Sequence, residues 1–194
     1  MQRATANVLV DRLSEGQSAS KDLLWIVGFS LITGILAQIR IPLPFTPVPL
    51  TGQTFAVLLS GAALGCRRAF MSQALYLAEG AAGLPVFAGG AFSLAHLLGP
   101  TGGYLWSFPV AAAFLGWLVE QGASRTSWRL APALAVSDTI ILAFGTLWLH
   151  WFFSVPYRQA WNLGYYPFLF GEILKIALVG VSLPRVLRLL APRA

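Results

Sequence analysis

From residue 23 to residue 183 the chain is a succession of apolar runs separated by short segments rich in proline, glycine or arginine. A bilayer offers no water to the backbone, so such a run must pair its own N–H and C=O groups, as a helix does. A spanning helix needs about 20 apolar residues, whereas barrel strands show two-residue alternation in shorter segments. Composition agrees with helices in lipid: 57% of residues are apolar and only 10% are charged, against about 25% charged in soluble domains. Nineteen glycines and twelve prolines fit as well, because both are commoner in membrane helices, where neighbours re-satisfy the backbone. The expected fold class is an all-α integral membrane protein with six transmembrane helices and irregular extracellular loops.

The six spans are expected at about 23–39, 50–65, 69–82, 103–121, 130–153 and 163–183. Together they make a membrane domain over 23–190, between a polar cytoplasmic tail at 1–22 and a short one at 191–194. The third span is short, and it is expected to gain length either from Arg67 and Arg68, whose stems can snorkel to the interface, or from the apolar stretch that follows it. Two connections, 40–49 with Pro42, Pro44, Pro47 and Pro49, and the glycine-rich 83–102, are apolar enough to dip into the membrane. Irregular backbone at that depth lines a cavity or is buried by protein. Both are therefore candidate walls or lids of a site.

Lysine and arginine set the orientation. With the amino terminus inside, Arg3, Arg12, Lys21, Arg67, Arg68, Arg125, Arg129, Arg185, Arg188 and Arg193 lie on the inner side, and only Arg40 and Arg158 on the outer. Both termini are thus expected in the cytoplasm. Spans two, four and six then start outside, where their unpaired N–H groups and positive dipole ends favour an anion. Gly99-Pro100-Thr101-Gly102-Gly103, just before the fourth span, would let a ligand come close to the backbone. The net charge of +6 is scattered between apolar runs, so it reflects topology and not a nucleic-acid surface. The single Cys66 excludes an internal disulfide and a cysteine-based zinc site.

Glu172 and Lys175 stand three residues apart inside the last apolar run. An ionisable group at the bilayer centre costs at least about 2.5–3.5 kcal/mol on insertion scales, so such residues usually face a cavity and serve a ligand or ion. At i and i+3 they share one helix face. Either they neutralise each other and fix packing, or Lys175 anchors a carboxylate or ureido oxygen while Glu172 accepts ligand N–H groups. Gln53 either reads an amide-like ligand or bonds a neighbouring helix. Glu79 is either a site residue or reaches headgroup water. Asp138 is expected in the inner half of span five, far from the site. His150 belongs with Trp148 and Trp151 to an interfacial belt, and His96 in the glycine-rich loop could contact ligand or water. Tyr76, Phe87, Tyr104, Trp106 and Phe108 form an outer aromatic group that could sandwich a small ring. In span one, Ser30 and Gly34, like Thr33 and Ala37, have small-xxx-small spacing suited to internal packing or to docking another membrane protein.

These stretches resemble the BioY family, the biotin-binding S component of energy-coupling factor transporters. The likeness rests on Ala37-Gln38-Ile39 with Ile41-Pro42-Leu43-Pro44, Pro47-Val48-Pro49-Leu50-Thr51-Gly52-Gln53-Thr54, Gly83-Leu84-Pro85-Val86-Phe87-Ala88-Gly89-Gly90, Gly99-Pro100-Thr101-Gly102-Gly103-Tyr104, and Gly171-Glu172-Ile173-Leu174-Lys175. Each is weak alone, while their order and spacing are specific. The resemblance implies a six-helix protein of the bacterial cell (inner) membrane that captures biotin outside and delivers it inward with a transmembrane coupling subunit and an ATPase pair. Its implied binding residues are Glu172, Lys175, Gln53, Tyr104, Gly99, Thr101, Gly102 and Phe87, with Ser30 and Gly34 facing the coupling subunit.

No phosphate loop of the Gly-x-x-x-x-Gly-Lys-Ser/Thr type occurs, so ATP would be used by partners, and no cofactor or metal is implied. Two departures stand out: Glu172 replaces the usual aspartate, and Ala91-Phe92-Ser93 follows Gly89-Gly90. Biotin or a biotin precursor is the implied ligand. A proton-coupled or facilitative carrier acting alone is the alternative, and a membrane-embedded enzyme using His150 or Glu172 a more remote one, because no His-Glu-x-x-His motif or paired nucleophile is present.

Overall fold

The structure is a computed structural model that describes residues 8–13 and 18–189. The expectations placed on Arg3, Arg193 and the tail at 191–194 lie outside the described residues. In chain order the elements are α1 (Leu9–Leu13), α2 (Ala19–Ala37), β1 (Arg40–Ile41), β2 (Leu50–Thr51), α3 (Gln53–Leu64), α4 (Cys66–Ala81), α5 (Leu94–Leu97), α6 (Gly102–Glu120), a 3-10 turn (Ala123–Arg125), α7 (Ser127–Phe153), α8 (Tyr157–Gly164) and α9 (Leu169–Leu189). The all-α expectation needs one small correction. β1 and β2 pair antiparallel, Arg40 with Thr51 and Ile41 with Leu50, because the prolines at 42–49 deny the intervening chain a helix.

The chain is a multi-pass membrane protein. Three described helices, α2, α6 and α7, are long and apolar enough to cross a bilayer, and α8 with α9 makes a fourth if that bent pair is one span. α3 is apolar but has only 12 residues, about 18 Å of helix at 1.5 Å per residue. The sixth run is not one helix from residue 163, since α8 and α9 meet at 50°. Pro167 sits at the break, where it lacks an N–H and disfavours helical geometry in the residue before it.

α6 is the central helix, packed against α3, α4 and α7. Small residues make that closeness possible, as expected where lipid gives helices little hydrophobic reason to associate. At Gly61 a Cβ would lie 2.7 Å from the Ala112 carbonyl oxygen and 3.0 Å from Leu115 Cβ. At Gly116 a Cβ would run into the backbone of Gly65 and Cys66, which forms the joint between α3 and α4. The joint itself needs Gly65, whose φ of 78° lies in the left-handed region. A buried polar knot ties α2 to α3 and α4: Gln73 Nε2 of α4 donates to Thr33 Oγ1 of α2 and Ser60 Oγ of α3, each at 3.1 Å.

The end of the molecule that carries Arg67 and Arg68 is more ordered than a simple tail. Val8 and Val10 are buried, and α1 packs on α3. Arg68 does not snorkel: its Nη2 is 2.6 Å from Asp11 Oδ1, its Nη1 2.9 Å from Asp22 Oδ1, and its Nε donates to the Leu64 carbonyl at 2.9 Å. A planar guanidinium can satisfy three acceptors at once, and that fixes the N-terminal segment across the helix ends.

At Gly116 the obstacle is backbone and cannot swing aside, so Gly116→Ala is expected to cost about 1–3 kcal/mol as an overpacking substitution. Thermal unfolding of the purified protein in detergent measures it, and an unchanged midpoint would contradict the packing described.

Candidate functional site

At the end of the bundle opposite Arg68, the β1–β2 connection, the 82–101 segment and the starts of α3, α6 and α9 surround a cavity. About 520 Å³ there is free of atoms, and the centre of a water-sized sphere can range over about 50 Å³ of it, so the cavity is narrow. Its walls differ in chemistry. Gln53 and Thr54 of α3 and Glu172 and Lys175 of α9 form the polar wall, while Tyr104, Leu105 and Phe108 of α6, Leu142 of α7 and Phe168 form the apolar one. Val48, Pro49, Ala88, His96 and Thr101 close the rim.

Local sequence explains how each polar group arrives. The β1–β2 ladder ends at Thr51, and α3 starts at Gln53 after the N-cap Gly52. Gly52 packs so close to Leu36 that a Cβ would lie 2.7 Å from the Leu36 carbonyl oxygen. Thr51 Oγ1 donates to Gln53 Oε1 at 3.0 Å, and Gln53 Nε2 donates to Tyr76 Oη at 2.6 Å. Tyr76 Oη in turn donates to the Val86 carbonyl at 3.2 Å. Gln53 thus does both things open to it, bonding the neighbouring helix and lining the cavity.

Glu172 is buried. It sits in the first turn of α9, where the helix dipole favours a negative charge. Lys175 Nζ is 2.7 Å from Glu172 Oε1 and 2.6 Å from Thr54 Oγ1, and Thr54 Oγ1 lies 3.0 and 2.9 Å from the two Glu172 oxygens. The pair is therefore a triangle with a hydroxyl at its third corner. An ammonium has three donors, and these two bonds leave one for whatever enters the cavity.

The other residues expected to bind are divided. Thr101 lines the rim and Tyr104 the apolar wall. Tyr104 Oη is committed to the Gly164 carbonyl at 2.6 Å, so its ring rather than its hydroxyl faces the space. Phe87, Gly99 and Gly102 do not line the cavity. Phe87 is fully buried behind the rim, edge-on to Tyr76 at 5.5 Å and stacked on His96 at 5.3 Å, in the space that Gly80 leaves by lacking a Cβ. Gly99 and Gly102 serve packing: the Gly99 carbonyl accepts from Trp148 Nε1 at 2.9 Å, and Gly102 lies against the Leu97 carbonyl and the Trp148 ring.

Ser30 and Gly34 also require correction. Both face inward, Ser30 donating to Glu79 Oε1 at 3.0 Å and Gly34 packing on Val86. They form internal packing and cannot present a docking stripe; the outward face of α2 carries Leu24, Leu31 and Ile35 instead. Glu79 is held by that Ser30 bond and does not simply reach for headgroup water.

Two further polar residues stand nearer the site than their sequence positions fix. His96 lines the rim with Nε2 3.5 Å from Thr101 Oγ1, and burial holds its imidazole below the ordinary value, which keeps it neutral at pH 7. Asp138 is not remote from the polar wall. It is 3% exposed and lies one helical turn before the cavity residue Leu142, on a helix that packs against α9. Helical spacing places Asp138 on the Leu142 face, but only the approach of α7 to α9 brings that face to the cavity.

A model of the BioY family matches residues 6–192. The chain belongs to the BioY family. Biotin transporter BioY2 of Lactococcus lactis subsp. cremoris is 39% identical over 162 residues, which is 80% of this chain and 86% of that protein. The probable biotin transporter BioY of Pyrococcus horikoshii is 38% identical over 158 residues, covering 81% of this chain and 91% of its own. Among solved structures, the S-component for biotin from an ECF-type ABC transporter superposes with a TM-score of 0.81, covering 90% of this chain and 94% of that one at 24% identity. That likeness extends the shared fold across nearly the whole BioY chain.

Thr54→Val keeps the volume near the ion pair but removes the hydroxyl that both charged groups use. A loss of about 1–3 kcal/mol is expected, the cost of leaving a buried polar partner unsatisfied, read as a lower unfolding temperature in detergent. A neutral result would mean that Glu172 and Lys175 hold their geometry unaided.

Proposed function

We propose that this protein is the substrate-binding subunit of a biotin uptake system. It takes biotin from the outer side of a bacterial inner membrane and releases it inward together with a coupling subunit and an ATPase pair. One observation carries the reading: a Glu172–Lys175 pair, held in a triangle by Thr54, forms one wall of a cavity whose opposite wall is aromatic and aliphatic. Biotin has the matching distribution of chemistry. Its ureido ring offers two N–H donors and a carbonyl acceptor, its thioether and valeryl chain are apolar, and its carboxylate is an anion.

In this reading Glu172 accepts ligand N–H groups, Lys175 gives its remaining donor to a ligand oxygen, and Gln53 and Thr101 bound the polar path. Tyr104, Phe108 and Phe168 cover the rings and methylenes, which supplies burial rather than discrimination. Phe92 is exposed and absent from the lining, so it is no reason to prefer a biotin precursor over biotin.

In this reading the chain crosses the membrane six times, and the charge bias that orients it makes the cavity open outward. Asp11, Asp22, Gly65 and Glu120 gather with Arg68 at one end, and the cavity lies at the other. Among the described residues Lys21, Arg67, Arg68, Arg125, Arg129 and Arg185 belong to the first end, the end that the positive-inside rule assigns to the cytoplasm. Contact with the coupling subunit would use surfaces other than Ser30 and Gly34.

The purified protein is expected to bind radiolabelled biotin tightly, with one-to-one stoichiometry and no product. Lys175→Ala should weaken retention by well over about tenfold, since a buried Glu172 is left without its counter-charge. Equal affinity in the variant would remove Lys175 from the site. In vesicles, uptake driven by a proton gradient without ATP or partner subunits would replace the shared system with a carrier acting alone.

A further inference from the structure

Arg40 plays no part in the site described above, yet it stands between two of the segments that form it. It pairs with Thr51 across the β1–β2 ladder, and directly opposed residues of an antiparallel pair project to the same face. Thr51 lines the cavity and donates to Gln53, so the Arg40 stem leaves β1 on the cavity side. Its far end lies on Gly89: a Cβ built there would collide with Arg40 Nη1 and would be 3.2 Å from Cζ. Gly89 follows the rim residue Ala88. The guanidinium is thus placed at the rim, between β2 and the 82–101 segment.

The surface beneath it is fixed. Gln38, two residues before Arg40, donates from Nε2 to the Phe87 carbonyl at 3.2 Å and accepts from the Gly90 N–H at 2.9 Å. Both ends of 87–90 are therefore tied to the end of α2. Gly89, with a φ of 72°, supplies the bare backbone on which the guanidinium rests.

The charge of Arg40 has no counter-ion within the protein. Segments 40–51, 82–101 and 154–168 contain no aspartate or glutamate, and among the described residues no carboxylate pairs with Arg40. Glu172 is matched by Lys175 and Thr54, and Glu79 accepts from Ser30. Arg158, the other described arginine of this end, is carried by α8, no residue of which lines the cavity. The cavity therefore offers a ligand two separate polar places: an ion pair already balanced in charge on its wall, and an unbalanced cation at its mouth.

We propose that Arg40 is the carboxylate receptor of this site and sets its preference for a free acid. The ligand's ureido ring lies against Glu172 and Lys175, its chain runs along Tyr104, Phe108 and Phe168, and its terminal carboxylate meets the Arg40 guanidinium. A planar guanidinium takes a carboxylate through two parallel N–H bonds, whereas a balanced acid and base suit a neutral ring that both donates and accepts. The inference rests on the biotin reading and adds to it the orientation of the ligand.

Biotin methyl ester, which keeps the rings and chain but has no charge, is the probe. At low salt the full-length wild-type protein in detergent should bind biotin about tenfold more tightly than the ester, the scale of a hydrogen-bonded contact to a charged group, and the gap should narrow as salt is raised. Arg40→Gln should lose about tenfold for biotin and stay within about twofold of wild type for the ester, so that ester binding also reports a folded site. Arg40→Lys, which keeps the charge without the planar fork, should fall between the two. Arg158→Gln should match wild type for both ligands.

Equal wild-type affinity for acid and ester overturns the proposal with no variant needed and leaves biotin binding intact. A proportionate loss of both ligands in Arg40→Gln makes Arg40 a packing residue, and an acid preference that survives Arg40→Gln but vanishes in Lys175→Ala puts the carboxylate at the inner pair; either result overturns the assignment. A wild-type protein that binds neither ligand removes the biotin reading itself, and this inference with it.

Discussion

Holding Glu172 and Lys175 inside an apolar bundle is the constraint around which the cavity end of this protein is arranged. Each ion alone would cost several kcal/mol to desolvate, and their attraction offsets that only where geometry and extra hydrogen bonds are good. The structure provides both by local means. Glu172 starts a helix whose dipole favours it, Lys175 follows on the same face, and Thr54 from another helix touches both. The break at Pro167 matters here, because it makes residue 172 part of a first turn and not a mid-helix position.

The rest of the fold brings those pieces to one place. Thr54 can meet Glu172 only if α3 and α9 approach, and α3 is positioned by the Gly61 contact with α6, the Gly65 joint and the Gln73 knot. At the other end Arg68 draws Asp11 and Asp22 together and ties the N-terminal segment to the same helices. Among the described residues several buried polar side chains, Ser30, Thr33, Gln53, Thr54, Ser60, Gln73 and Glu172, span two elements. That is the expected economy in a membrane, where a polar contact fixes geometry that apolar packing against lipid-like neighbours would leave loose.

Much of this could be read along the chain, and the misreadings share one cause. Hydropathy placed the long helices to within a few residues, and prolines and glycines marked both irregular segments. The Glu172–Lys175 pair was legible from helical spacing alone. Phe87, Gly99 and Gly102 were assigned to the site from their motifs, yet they pack behind it, because a motif does not say which of its residues face the space. Ser30 and Gly34 were suited by size to a docking face, but smallness serves any close approach, and here the approach is internal. Asp138 was placed far from the site by its depth in the span, which takes no account of the neighbouring helix.

The sequence by itself determined that the chain lives in a membrane, where its helices fall, which of its ends carries positive charge, and that one helix face bears an acid and a base. These are properties of adjacent residues, and periodicity and composition contain them. Tertiary structure alone decided that Thr54 completes the pair, that Asp138 is buried on the helix face that reaches the cavity, and that the small residues of α2 turn inward. Those facts depend on how helices far apart in sequence meet, and in a bilayer that is set by close packing of small residues and a few buried hydrogen bonds, neither of which leaves a periodic trace along the chain.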